Sequence, residues 1–202
     1  MLERRVDHIT RKRVSQMSAE EMRGMLLTSE KTGLPNRRAF DEAGDTSFVA
    51  MADVNGLKGL NDSFGYSAGD ELIYRFGQTL IEVGLDAYHE KGDEFLCRGE
   101  SYEDLRHKLS RAQYLMRTRS FVVRGLDGSY TTVAGADFCF GIATTQPEAE
   151  KALKCEKRNQ GCKRGALPSF VQRTPAFPHE PGFEIFLTDG SLSSQTLVVE
   201  AF

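Results

Sequence analysis

Two acidic stretches carry the residues of this chain that could do chemistry. One is Lys91-Gly92-Asp93-Glu94-Phe95, where adjacent carboxylates follow a glycine between two short apolar runs, Ala87-Tyr88 and Phe95-Leu96-Cys97. The apolar flanks predict two strands joined by a turn at Glu90-Lys91-Gly92-Asp93. A hairpin tip with two acids beside a glycine lets a polyanion and its metal ion approach the backbone closely. Taken alone it reads first as an ordinary solvated turn, because glycine and aspartate favour turns for purely local reasons.

The second stretch, Asp53-Val-Asn-Gly-Leu-Lys-Gly-Leu-Asn-Asp-Ser-Phe-Gly-Tyr-Ser-Ala-Gly-Asp70, argues against the ordinary turn. It follows Phe48-Val-Ala-Met-Ala52, a brief apolar run that predicts a buried strand. An acid at the C-terminal edge of such a strand, then a glycine-bearing turn and a helix start, is a common way to hold a metal beside a phosphate. Free N–H groups around Asn55 to Lys58 would face the phosphates, with Lys58 as a mobile positive charge. Asn61 and Asp70 add polar groups, although Asn61-Asp62 also fits a cap and Gly69-Asp70 a turn with an N-cap.

The elements that must position these groups can be read in order. Residues 1 to 30 have a helical pattern, with a capping box at Ser18 to Glu21 followed by Met22, Met25 and Leu26 at helical spacing. Gly33 and Pro35 break that helix, and Asn36 can cap a short one starting at Arg37. Glu71 to Val83 reads as an amphipathic helix with Leu72, Phe76 and Leu80 on one face, ended by Gly84. Ser101 opens another, with Leu105, Leu109, Ala112 and Met116 inward.

Phe121-Val-Val, Thr131 to Ala134 and Asp137 to Ala143 predict strands, the last apolar enough to be central. From Glu148 a helix resumes with Ala149, Ala152, Leu153 and Cys155 toward its buried side. The stretch from Lys151 to Arg164 carries six basic residues in fourteen, which points to triphosphate binding or to a solvated face. Residues 166 to 202 hold apolar runs at Phe183 to Leu187 and Thr196 to Val199 that suit a strand or two.

The 202 residues suffice for one domain with a sizeable core and added terminal segments. A hydrophobic share of 40% and a charged share of 27% are those of a soluble globular protein. No run approaches a membrane span or an apolar secretory core, so the expected location is cytoplasmic. Cys97 and Cys139 lie in apolar runs and are expected to be buried, and a Cys155–Cys162 disulfide is not expected in a reducing compartment. A net charge of −3 gives no overall pull toward nucleic acid. The basic cluster Arg4, Arg5, Arg11, Lys12 and Arg13 leaves a nucleic-acid accessory role as the weakest of three functional readings.

Together, Thr32-Gly-Leu-Pro-Asn-Arg-Arg-Ala-Phe40, the Asp53 to Asp70 stretch and Lys91-Gly-Asp-Glu-Phe95 resemble the GGDEF family of diguanylate cyclases over roughly residues 28 to 164. The resemblance implies a palm-like α+β domain, a mostly antiparallel sheet flanked by helices. It implies condensation of two GTP molecules to cyclic di-GMP with release of pyrophosphate, at a homodimer of facing half-sites. By motif position, Asp53 and Asp93 would supply carboxylates to Mg²⁺ or Mn²⁺, with the Val54 carbonyl as a further ligand. Glu94 would assist at the metal or at the attacking 3′-hydroxyl. Asn61 and Asp70 would bond the guanine edge, Gly92 would lie against the nucleotide and Lys58 against its phosphates.

Residues 28–165 would then form the catalytic domain, 1–27 a helical lead-in and 166–202 an extension without a readable motif. No membrane partner is expected.

Several positions depart from the family pattern. Lys91 replaces the first signature glycine, which either crowds GTP or points its ammonium outward. The Asp-x-Leu-Thr opening is Ser29-Glu-Lys-Thr32 here, so Lys31 stands where the family carries leucine. Aligned on Gly161, Arg158 takes the place of a phosphate-site lysine and Cys162 that of an arginine, with Lys157 and Arg164 out of register. The Arg-x-x-Asp product site is absent, its register held by Glu82-Val-Gly-Leu85. The departures keep open a second reading, a degenerate domain that binds GTP or a protein partner without turnover.

Overall fold

In a computed structural model that describes residues 14–159 and 170–174, strand β1 (Phe48–Val54) forms the centre of the domain. It pairs antiparallel with β3 (Glu94–Gly99) on one side and β6 (Phe138–Ala143) on the other. Strand β2 (Asp86–Lys91) extends the sheet beyond β3, giving the order β2-β3-β1-β6. The period of two decides which residues meet. Ala50, Ala52 and Val54 share one face with Phe95, Cys97 and Phe138, while Val49 and Met51 share the other with Leu96 and Cys139. Both faces are covered, which is why β1 reads as a continuous apolar run and not as an alternating one.

Helices α3 (Leu57–Phe64), α4 (Tyr66–Glu82) and α5 (Tyr102–Thr118) cover the first face. Leu72, Phe76, Leu80, Leu105 and Leu109 are buried there as their spacing predicts, and the Phe76 ring meets Phe95 at 4.7 Å and Phe138 at 4.5 Å. On the second face lie α2 (Arg37–Glu42), capped by Asn36 as expected, and α6 (Gln146–Asn159), which contributes Ala149 and Leu153. A second antiparallel sheet joins β4 (Ser120–Arg124), β5 (Tyr130–Ala134) and β7 (Phe170–Thr174) in the order β4-β5-β7. The mostly antiparallel α+β architecture expected from the sequence is the one observed.

Some elements differ from expectation. Helix α1 (Ala19–Leu27) has the reciprocal Ser18–Glu21 capping box, but it ends well before Gly33 because Thr28 turns extended and bridges to Pro35. Helix α4 starts at Tyr66 and not at Glu71, since Gly65 (φ +87°) ends α3 and opens α4 directly, so Gly69 and Asp70 are helical residues, not a turn. Strand β6 is an edge strand, not a central one. Its apolar character answers to burial on both faces: Phe138, Phe140 and Ile142 pack into the α3–α5 core, and on the other face α6 lies so close that Leu153 N and Ala149 O stand where a Gly141 Cβ would sit.

In the signature hairpin, Glu90 and Lys91 belong to β2, with a pairing irregularity after His89 that narrows the turn to Gly92-Asp93. Cys155 is exposed, whereas Cys97 and Cys139 are buried. The expected 160–165 segment, Cys162 and Arg164, the basic cluster at 4–13, and the runs at 183–187 and 196–199 lie outside the described residues. Among the described residues no helix is long and apolar enough to cross a membrane.

Candidate active site

Antiparallel register sets Asp53, near the end of β1, directly opposite Glu94 at the start of β3. Opposed residues in such a ladder share a face, so both acids project toward the α6 side of the sheet. Asp93 is held beside them, its carbonyl accepting the Val54 N–H at 3.1 Å. Asp53 is buried (7% exposed) and Lys157 from α6 places its ammonium 2.5 Å from Asp53 Oδ2. Burial is the main force raising the Asp53 carboxyl, to about 6; Lys157 pulls it back, and the charges of Asp93 and Glu94 push it up again.

The site is therefore a concentration of negative charge that already holds one cation. Two carboxylates and the Val54 carbonyl are hard oxygen donors of the kind that suit Mg²⁺. Among the described residues no group of three or more His, Cys, Asp or Glu side chains gathers into a metal cage. A site with so few protein donors leaves coordination positions for water and phosphate oxygens.

The signature turn is tied down from behind. Gly92 has φ +56°, a left-handed conformation that favours glycine, although space is open around it. Its carbonyl lies 3.1 Å from His89 Nε2, and His89 Nδ1 lies 2.6 Å from Ser29 Oγ. A carbonyl can only accept, so Nε2 carries the proton and the Ser29 hydroxyl donates to Nδ1. The ring is buried, stacks on Phe95 at 4.7 Å, and burial lowers its pKa, which favours the neutral form. Lys91 points outward, 75% exposed, with its ammonium 3.7 Å from Glu94 Oε2.

The third part of the site comes from α3 and α4. Gly56 (φ +81°) starts α3, Lys58 is exposed on its first turn, and Asn61 follows one turn later. Gly69 of α4 packs so closely on α3 that a Cβ there would overlap Asn61 Oδ1 and Leu57. Asn61 Oδ1 is buried without a hydrogen-bond partner. Asp70, next to Gly69, is ion-paired through Oδ1 with Lys31 at 2.6 Å. Asp53, Asp93, Glu94 and Val54 thus gather at the β1–β3 end, and Asn61 and Asp70 at the α3–α4 packing. Arg158 is exposed on α6, and it is Lys157 that reaches Asp53.

The family model described as "Diguanylate cyclase, GGDEF domain" matches residues 28–159. The chain belongs to the GGDEF family. Among curated relatives, an uncharacterized protein in the hutH 5′ region of Streptomyces griseus is 39% identical over 92 residues, covering 38% of this chain and 38% of that protein. Diguanylate cyclase VdcA of Vibrio cholerae is 34% identical over 93 residues, covering 41% of this chain and 27% of VdcA. Diguanylate cyclase DgcP of Pseudomonas aeruginosa is 28% identical over 164 residues, covering 73% of this chain and 24% of DgcP.

The chain thus spans well under half the length of these relatives. Two solved structures share the fold. The diguanylate cyclase SiaD of Pseudomonas aeruginosa aligns with TM-score 0.58 at 21% identity, over 68% of this chain and 60% of SiaD. The GGDEF domain of DgcB from Caulobacter crescentus, solved with c-di-GMP, aligns with TM-score 0.55 at 20% identity, over 68% and 93%.

Three polar residues of this GGDEF domain escape a motif reading. Lys157 has a readable signal in hindsight: Ala149, Leu153 and Lys157 recur every four residues, so the lysine continues the face that α6 packs on the sheet. Lys31 and His89 carry no such signal, because their partners Asp70, Ser29 and Gly92 become neighbours only through the tertiary fold.

Proposed function

We propose that this GGDEF domain is a diguanylate cyclase that joins two GTP molecules into cyclic di-GMP and releases two pyrophosphates. In each half-reaction a 3′-oxygen loses its proton and bonds to the α-phosphorus of the other GTP, while the bond from that phosphorus to the pyrophosphate oxygen breaks. The single observation carrying this reading is the pairing of Asp53 with Glu94 across β1 and β3, with Asp93 alongside and a cation on Asp53. Asp53, Asp93 and the Val54 carbonyl would hold Mg²⁺ or Mn²⁺, which when bound lowers the pKa of a hydroxyl and offsets charge on phosphate and pyrophosphate.

The chain's own residues supply the rest. Asn61 and Asp70 hold the base, Gly92 lets the nucleotide lie against the backbone, and Lys58 and Lys157 neutralise phosphate charge. Arg158, one residue further along exposed α6, is the outer candidate for the same task. Glu94 stands at the attacking hydroxyl. One domain holds one GTP, so closing the ring requires two domains facing each other as a homodimer.

The test is incubation of purified protein with GTP and Mg²⁺ and chromatography for cyclic di-GMP. Product that disappears in Asp93→Ala supports the enzyme. The contact of Lys91 with Glu94 favours a second reading, a domain that binds GTP without turnover. Saturable GTP binding with no product would select it.

A further inference from the structure

The Lys31–Asp70 ion pair is absent from the family pattern, which has leucine at position 31, and it joins two features already described. Asp70 is engaged through Oδ1, and the neighbouring Gly69 lies against Asn61, whose buried Oδ1 has no partner. Asn61 and the Lys31–Asp70 pair therefore stand at the same α3–α4 packing. Their polar groups include two acceptors and a donor: the Asn61 amide oxygen, the Asp70 carboxylate and the Lys31 ammonium. The Watson–Crick edge of guanine runs donor, donor, acceptor, through its 2-amino group, N1–H and O6.

We infer that Lys31 is a specificity-determining residue that donates to guanine O6, completing a rim that reads guanine as cytosine does. The inference rests on the proposed use of GTP. With Asp70 Oδ2 accepting N1–H, the atom beside N1 on the base is O6, and the ammonium on Oδ1 is the adjacent donor. One lysine then serves both oxygens. Adenine presents a donor at position 6 and a bare acceptor at N1, so it meets ammonium with an amino group and carboxylate with a lone pair. Both mismatches leave polar groups unpaired, which is the strongest form of discrimination a site can build. The lysine also orients the Asp70 carboxylate before the base arrives, and it is half exposed, so it can shift to admit the purine edge.

The experiment measures dissociation constants of the Mg²⁺ complexes of α,β-methylene analogues of GTP, ITP and ATP, which bind without transfer, for the full chain and for Lys31→Met. ITP keeps O6 and N1–H but lacks the 2-amino group. Lys31→Met is expected to weaken the GTP and ITP analogues alike, by about tenfold or more for one charge-assisted hydrogen bond, and to leave the ATP analogue unchanged. Asn61→Ala is expected instead to erase the preference for GTP over ITP. Unchanged or tighter GTP-analogue binding in Lys31→Met overturns the inference, as does an equal loss for the ATP analogue. If the unmodified chain binds none of the three, the proposed GTP reaction itself fails. Thermal unfolding of Lys31→Met, a change at a half-exposed site, checks that the fold is intact.

Discussion

Asp53→Asn separates what the site does from what holds the fold together. Raising a carboxyl from its ordinary 3.8 to about 6 disfavours its ionised form in the folded state by about 3 kcal/mol. A carboxyl whose folded pKa lies above its unfolded value binds its proton more tightly when folded. Its support for the fold is complete below about pH 4 and is lost as pH rises through about 6. Asparagine mimics the protonated acid at every pH. At pH 8 the variant should therefore be more stable than the unmodified chain, by about 3 kcal/mol or about 6–12 °C in melting temperature for a chain of this size.

Near pH 4 the difference should shrink toward zero. Lys157 loses its partner in the variant, but its pull on Asp53 is already contained in the net rise, and at 34% exposure its ammonium can be rehydrated. The assay is thermal unfolding by circular dichroism from pH 4 to 8, with and without Mg²⁺. Mg²⁺ should stabilise the unmodified chain and not the variant, which should also make no cyclic di-GMP. A variant less stable at pH 8, or a difference that does not change with pH, would refute the reasoning.

Three further outcomes follow from the geometry. Gly141→Ala drives a methyl into the α6 backbone at Leu153 N and Ala149 O and should destabilise the fold by about 3 kcal/mol in urea unfolding, with turnover lost as Lys157 leaves Asp53. Lys91→Gly removes an exposed ammonium 3.7 Å from Glu94; exposed pairs contribute at most about 1 kcal/mol, so the specific activity should change by less than about fivefold. Cyclic di-GMP should not inhibit through residues 82–85, where Glu82 is already held by Arg119 at 2.6 and 2.7 Å. Calorimetry should find no saturable binding that Glu82→Ala abolishes.

The legible parts of this protein are those fixed by local chemistry. The Ser18 and Ser101 caps, the Asn36 cap, and the inward rows of α4 and α5 were all readable, because caps and 3.6-residue periodicity act within one or two turns. Asp53 and the Asp93-Glu94 pair could be assigned to strand ends, and the register that sets Asp53 opposite Glu94 agrees with that assignment. What misled was burial by another element. Asp137 to Ala143 looks central because it is apolar, yet β6 is an edge strand covered on both faces, with Phe138, Phe140 and Ile142 in the α3–α5 core and Cys139 facing α6. The early start of α4 was equally hidden: Gly65 reads as a breaker, but its positive φ lets one helix follow another without a loop.

Three of the departures from the family pattern share a property that no motif comparison exposes, which is a polar neighbour in this fold. Ser29 stands where the family has aspartate and donates to a buried, neutral His89, a contact that a second carboxylate would burden with an unneeded charge. Lys31 stands where the family has leucine and meets Asp70. Lys91 stands where the family has glycine and faces Glu94 across the turn with its side chain in solvent. An eroded site would be expected to leave charges without partners or glycine positions strained, yet no non-glycine residue among the described ones has a positive φ. The carboxylates of Asp53 and Asp93 and the left-handed Gly92 lie inside this altered frame with their roles still physically possible. Local and tertiary chemistry thus agree at these three altered positions, so the fold accommodates each substitution.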